Sequence, residues 1–278
     1  MSNPFKIIEP TCISFSGGRT SAFMLYKVLE AHQMSLPSDA VVCFANTGKE
    51  DEATLKFVND CATHWDVPIV WLEYQFAEPG YKIVDFTTAS RHGEPFEALL
   101  NKKQYLPSPV MRFCTVELKI RPMSRYLFDI GMTKSKSAGE SMAMIGIRAD
   151  EQRRAAKIPD KGRLPLVKAG ITKHDVAAFW KTQPFDLGLS NNNGVTMHGN
   201  CDLCFLKPTA QVLALISEKP DRAVWWARME ATQTNKAKNQ GGRFRKDRPN
   251  YAALAEYAKQ QHDMFDPNEE SIPCFCGE

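Results

Sequence analysis

The sequence predicts an α/β protein with a doubly wound, mostly parallel sheet. Three observations carry that prediction. Short apolar runs recur along the chain, amphipathic helical patterns separate them, and small residues stand where the first two strands give way to helices. With 278 residues, 43% of them hydrophobic, the chain is long enough to bury a full core.

Thr11 to Phe15 (TCISF) reads as the first strand, and Met24, Leu25, Val28 and Leu29 mark the helix behind it. Ala40 to Ala45 is the second strand. It stops at Asn46-Thr47-Gly48, and acidic Glu50, Asp51 and Glu52 open a helix that runs to about His64. Ile69 to Tyr74 is the third strand. Proline, glycine and charged residues interrupt Phe76 to Pro109, which is expected to be an irregular insertion near the active face. Ser141 to Ile147 reads as a further buried strand, and Thr172 with Asp175 forms a capping box for a helix from Lys173 to Lys181.

After Asn191-Asn192-Asn193-Gly194, an expected turn, the chain becomes helical, aromatic and basic. Helices are expected over Pro208 to Glu218, Pro220 to Ala231 and Tyr251 to Gln261, with a polar stretch from Thr232 to Asn250. The organisation that follows is a nucleotide-binding α/β domain over 1–190 and, over 191–278, a mainly helical basic region that carries the cysteine motifs. No internal repeat is visible.

There is no apolar N-terminal run of signal-peptide length and no stretch of about 18 apolar residues. A cytoplasmic protein without a membrane partner is expected, and its eight cysteines then read as metal ligands, redox groups or buried fillers rather than disulfides. The formal charge of +3 permits a polyanionic partner without requiring one.

The loop Ser16-Gly17-Gly18-Arg19-Thr20-Ser21 lies between strand and helix. Glycines let the backbone approach a ligand closely, the first helical N–H groups and the helix dipole favour an anion, and Ser16, Thr20 and Ser21 add hydroxyls. The loop matches neither the Walker pattern nor the dinucleotide GxGxxG pattern. Taken by itself it is also compatible with an ordinary turn and helix cap.

Five segments in order resemble one family. SFSGGRTS (Ser14 to Ser21) looks like the pyrophosphate-binding loop of the adenine-nucleotide α-hydrolase (PP-loop) superfamily. FANTGKEDEATLKFV, RFCTVELKIRP, GIRADEQRR and LPLVKAGITKHDVAAFW resemble its phosphoadenylylsulfate (PAPS) reductase branch. The resemblance implies an adenine nucleotide such as ATP, with or without Mg, bound by Ser14, Ser16, Gly17, Gly18, Arg19, Thr20, Ser21, Asn46, Thr47, Gly48, Gly146 and Arg148. The chain departs from the family at Thr20, where ATP-cleaving members commonly carry Asp. It departs again at its end, Cys274-Phe275-Cys276-Gly277-Glu278, where true PAPS reductases carry a Glu-Cys-Gly-Leu-His type motif.

Cys201-Asp202-Leu203-Cys204 has the CxxC spacing that lets two thiolates hold one metal or cluster. Cluster-bearing relatives add an upstream Cys-Cys pair. Here Cys114 matches its first position and Thr115 replaces the second. A [4Fe–4S] cluster on Cys114, Cys201, Cys204 and a tail cysteine, Cys274 or Cys276, is one reading. Zinc on Cys201, Cys204, Cys274 and Cys276 is another, and unmetallated thiols a third. Cys12, Cys43 and Cys61 are expected to be small buried hydrophobes.

Arg148 follows a strand at the sheet's carboxyl edge, where guanidiniums meet phosphate, with Arg153 and Arg154 behind it. Lys119 and Arg112 flank Cys114, and His198 precedes Cys201. Gly241 to Arg248 mixes basic residues with an aromatic, as single-strand and RNA readers do, and one of Trp225 and Trp226 is expected in the core.

The leading expectation is an adenine-nucleotide-dependent sulfur-transfer enzyme that acts on tRNA or DNA. Arg148 would neutralise developing charge, and Cys274 or Cys276 would carry sulfur received from a sulfur- or electron-donor protein. The alternatives are a reductase of adenylylsulfate or its 3′-phosphorylated form, and a non-catalytic nucleotide- or nucleic-acid-binding module with structural zinc. The oligomeric state is left open.

Overall fold

The structure, a computed structural model, describes residues 3–260 apart from 138, 140–141, 161–162, 193–194 and 236–239. The chain begins with β1 (Thr11–Phe15), α1 (Arg19–Ala31), β2 (Ala40–Asn46), α2 (Glu52–His64), β3 (Ile69–Tyr74), β4 (Tyr81–Val84) and α3 (Glu94–Lys103). A short α4 (Phe113–Thr115) runs through a π-helical turn, Val116–Ile120, into α5 (Arg121–Asp129). Then come β5 (Ala143–Ile145), α6 (Gln152–Ala155), α7 (Pro165–Lys168) and α8 (Lys173–Trp180). After the paired β6 (Asn191–Asn192) and β7 (Val195–Thr196) follow α9 (Thr209–Glu218), α10 (Arg222–Thr232), the paired β8 (Thr234–Asn235) and β9 (Gln240–Gly241), and α11 (Tyr251–Gln260).

The five-stranded sheet has the order β4-β3-β2-β1-β5. β1 pairs parallel with β2 and β5, β2 parallel with β3, and only β4 runs antiparallel, at the edge. Both faces are covered. Because side chains alternate along a strand, Ile13, Phe15, Val42, Phe44 and Trp71 pack with α1, α2 and α8, whereas Cys12, Cys43 and Leu72 pack with α5 residues Met123, Tyr126 and Leu127. Cys12, Cys43 and Cys61 are the expected buried fillers.

Two expectations about secondary structure are corrected. Phe76 to Pro109 is not irregular throughout, since it contains β4 and α3. Tyr81 to Val84 pairs with β3, and Lys82 bonds the buried Glu73 at 2.8 Å. Phe96, Leu99 and Leu100 place one face of α3 in the core, while Gly93 and Pro95, read as breakers, begin the helix. The strand expected over Ser141 to Ile147 shrinks to Ala143–Ile145, because the chain leaves the sheet at Gly146.

A second core joins α3 to the C-terminal helices around Trp226, Phe205, Phe244 and Tyr251. Trp225 and Trp226 are both buried there, rather than one of them. The capping box forms as expected, with Thr172 and Asp175 at the start of α8. Among the described residues no helix is long and apolar enough to cross a membrane.

Candidate functional site

The chain winds outward from β1 to β2 and β3 on one side and reaches β5 on the other. The carboxyl ends of β1 and β5 therefore flank a topological switch point, where open α/β sheets bind ligands. Gly17 turns there with φ +76°, and a Cβ on it would lie 2.6 Å from Thr54 Cγ2. Gly18 caps α1 in an extended conformation, which leaves the first-turn amides at the switch point. Ser16 Oγ donates to Ser21 Oγ at 2.9 Å, and Ser21 Oγ in turn donates to the Gly18 carbonyl at 3.0 Å, so the loop is tied to the first turn of α1. Gly146 lets the exit from β5 lie against that turn, since a Cβ would sit 3.0 Å from Ser21 Cα.

A cavity of about 530 Å³ opens beside the loop, lined by Arg19, Thr20, Arg148, Lys173, Trp180 and Lys181 among others. Its size is that of a small-molecule site. Arg148 Nη1 donates to Thr20 Oγ1 at 3.1 Å, and its Nε donates to Asp150 at 3.1 Å. Arg19 is clamped by Asp186 and donates to the Leu189 carbonyl, and its own carbonyl accepts the Trp180 indole N–H at 2.9 Å. Arg19 Nη1 is buried with no hydrogen-bond partner among the described residues. Arg154 pairs with Glu151.

On the other side of the loop, Ser14 and Ser16 line a narrower cavity with Thr115 and Lys119. Asn46 serves the scaffold: its amide donates to Glu73 at 2.6 Å and to the Ser90 carbonyl at 2.9 Å, and its Oδ1 accepts the Gly48 N–H at 3.0 Å. Thr47 instead reaches the cysteines, with Oγ1 3.5 Å from Cys201 Sγ.

The CxxC loop is fastened to the sheet's carboxyl edge. Cys201 forms a β-bridge with Glu50, the Asp202 N–H donates to the Lys49 carbonyl at 2.7 Å, and Lys49 Nζ pairs with Asp202 at 3.0 Å. Trp226 Nε1 donates to the same carboxylate at 2.8 Å. Cys114, Cys201 and Cys204 then line one cavity of about 20 Å³ together with Thr47, Thr115 and Lys119. Burial, with the Glu50 carboxylate and Cys204 acting in the same sense, pushes the Cys201 thiol well up.

Three thiols on one cavity are the donor type that zinc or an Fe–S cluster requires. Yet among the described residues no group of three or more His, Cys, Asp or Glu side chains stands ready to hold a metal ion. The described chain presents ligand types without a formed chelate. Cys274 and Cys276 lie outside the described residues. His198 is engaged elsewhere: Nδ1 faces Arg222 at 2.7 Å, Nε2 lies 3.1 Å from Glu218, and burial lowers its pKa more than Glu218 raises it.

Sequence reasoning missed Lys49, Glu50 and Asp202 as the clasp of the cysteine loop, and Trp180 and Asp186 as supports of Arg19. Lys49 and Glu50 directly follow the noted Asn46-Thr47-Gly48, a signal that was available. Trp180 ends the noted segment LPLVKAGITKHDVAAFW, whereas nothing local pointed to Asp186.

Over 208 residues the chain is 32% identical to the uncharacterized nin region protein ORF290 of Escherichia phage lambda, a match that spans 72% of this chain and 67% of that protein. The chain belongs to the ORF290 family. An uncharacterized protein of Methanocaldococcus jannaschii is 28% identical over 146 residues, which is 52% of this chain and 24% of the archaeal protein. No family model matches the chain, and no solved structure matches it. Membership of the ORF290 family brings relatives but no activity.

Proposed function

We propose that the chain is an adenine-nucleotide-dependent sulfur-transfer enzyme acting on nucleic acid, with a PP-loop-like α/β domain and a cysteine-bearing helical region. One observation carries the reading. Thr115, just before the π-helical turn, and Lys119, on it, line both the cavity at Ser14 and Ser16 and the cavity of Cys114, Cys201 and Cys204. The nucleotide loop and the thiols are thus neighbours across one short segment, and π-turns recur at functional sites.

In this reading the nucleotide's phosphates meet the α1 amides, Arg19 and Arg148 in the basic cavity, and the buried Arg19 Nη1 has the hydrogen-bonding need that such an anion meets. Attack by an acceptor oxygen on the α-phosphorus releases pyrophosphate, with Arg148 opposing the charge that develops. Hydrosulfide released by a sulfur-donor protein then bonds the acceptor carbon, AMP leaves with the oxygen, and loss of the S–H proton leaves a thiocarbonyl where the carbonyl stood. Cys114, Cys201 and Cys204 are the residues that would hold a [4Fe–4S] cluster with a tail cysteine, a group whose chemistry is electron or sulfide transfer. No step above depends on it.

The test is pyrophosphate release from ATP by the full-length protein, with and without tRNA or single-stranded DNA. Release that depends on nucleic acid and falls in Lys119→Ala supports the reading. Thioredoxin-dependent sulfite release from a sulfonucleotide, without pyrophosphate release, replaces it with sulfonucleotide reduction.

A further inference from the structure

A groove of about 1000 Å³ lies away from the nucleotide loop, between the Tyr105–Met111 loop and the segment that runs from Gly242 to Ala252. One wall is apolar and open to solvent: Tyr105 is 42% exposed, Met111 55%, and neighbouring Val110 98%. Pro107 and Pro109 stiffen this loop, and the Ser108 N–H donates to the Met111 carbonyl at 3.1 Å, so its tip is held in place. The Tyr105 ring is anchored edge-on at 4.9 Å to Phe113, with Lys103 Nζ 5.8 Å from the Phe113 ring.

The opposite wall carries exposed Arg243 and Lys246. Between the walls stands Glu230, whose carboxylate accepts the N–H groups of Phe244 at 3.1 Å and Tyr251 at 2.7 Å, so its charge is turned into the fold. The groove therefore pairs cations with an exposed, supported aromatic ring. That combination suits a chain of phosphates carrying unstacked bases, since every base has a π-face and a duplex has already stacked its own. Cys114 lies three residues beyond Met111 in the chain.

We infer that this groove binds single-stranded nucleic acid, with Arg243 and Lys246 on phosphates and a base against Tyr105. The inference rests on the reading of the acceptor as nucleic acid and names its docking surface.

Fluorescence anisotropy of labelled single-stranded 12-mers, DNA and RNA, against a duplex of the same sequence tests it, using the full chain without ATP at several salt concentrations. The wild type is expected to prefer the single strands. Arg243→Glu with Lys246→Glu weakens binding tenfold or more and lowers the magnitude of the log–log salt slope by about 0.7 for each phosphate that is no longer neutralised. Tyr105→Ala weakens it roughly five- to a hundredfold, the span of one base–aromatic stack, and Tyr105→Phe restores it. Absence of wild-type binding, equal binding by the variants, or equal preference for duplex overturns the inference, as does binding of a protein segment instead. Melting temperature and ATP affinity are followed in parallel. If Tyr105→Ala melts early, the double charge reversal, confined to exposed side chains, decides. Strand binding that persists without any pyrophosphate release would leave the groove intact and remove the sulfur-transfer reading.

Discussion

Arg148 reaches across the switch point to donate to the Thr20 hydroxyl at 3.1 Å, joining the exit of β5 to the first turn of α1. Thr20 and Asp150 together orient the Arg148 guanidinium on the wall of the cavity it lines with Arg19 and Lys173.

Arg148→Ala is expected to weaken ATP binding about 10- to 100-fold, the range of a charge-assisted hydrogen-bond pair. Arg148→Lys should recover only part of this, because an ammonium has no fork. Titration calorimetry with ATP checks both, and unchanged affinity in Arg148→Ala would remove this residue from the site.

Gly17→Ala is expected to destabilise the protein by about 2–4 kcal/mol, since it adds strain at positive φ and a close approach to Thr54. Urea unfolding measures the loss. Nucleotide binding should fall in the same variant at temperatures where it remains folded, because the loop must shift to relieve the clash.

Asp202→Ala leaves Lys49 buried without its carboxylate and removes the acceptor of Trp226 Nε1. The expected cost is about 3–5 kcal/mol, as for other broken buried pairs. Replacing both partners, Lys49→Met with Asp202→Leu, should cost less. Chemical denaturation of the two variants compares them, and a larger loss in the double variant contradicts the clasp.

Burial acts to raise the Asp186 carboxyl, but the Arg19 guanidinium and the amides of Gly188 and Leu187 outweigh it and hold the pKa below the usual aspartate value. A depressed carboxyl stabilises the folded chain above the unfolded value of about 3.9 and loses that contribution as pH falls through the folded one. The stability advantage over Asp186→Asn is therefore expected to be full at pH 6 and to shrink as acid is added below about pH 4. Asp186 is partly exposed, so added salt should reduce the advantage. Denaturation midpoints of the pair across pH 3 to 6 test the sign.

Local pattern made the α/β architecture legible. The apolar runs TCISF and AVVCFA marked buried strands, and Thr172 with Asp175 marked the start of α8. It also exposed the glycine loop and the CxxC pair, because both depend on neighbours in the chain. It failed at Tyr81 to Val84, which becomes a strand by pairing with β3, and at Gly93 and Pro95, which begin a helix rather than end one.

By itself, then, the sequence determined the order of β1, α1, β2, α2, β3 and β5, the helices α8 to α11, the loop after β1 and the spacing of Cys201 and Cys204, all of which follow from side-chain size, polarity and backbone freedom over a few residues. Only the tertiary structure decided that Lys173, Trp180 and Lys181 complete the cavity begun by Arg19, and that Cys114 meets Cys201 and Cys204 beside Lys119. Those meetings depend on how separate apolar faces bury one another. The Lys49–Asp202 pair and the Trp226 indole hold two distant segments at one edge of the sheet, and no short stretch of sequence records which of its polar neighbours the fold will bring within reach.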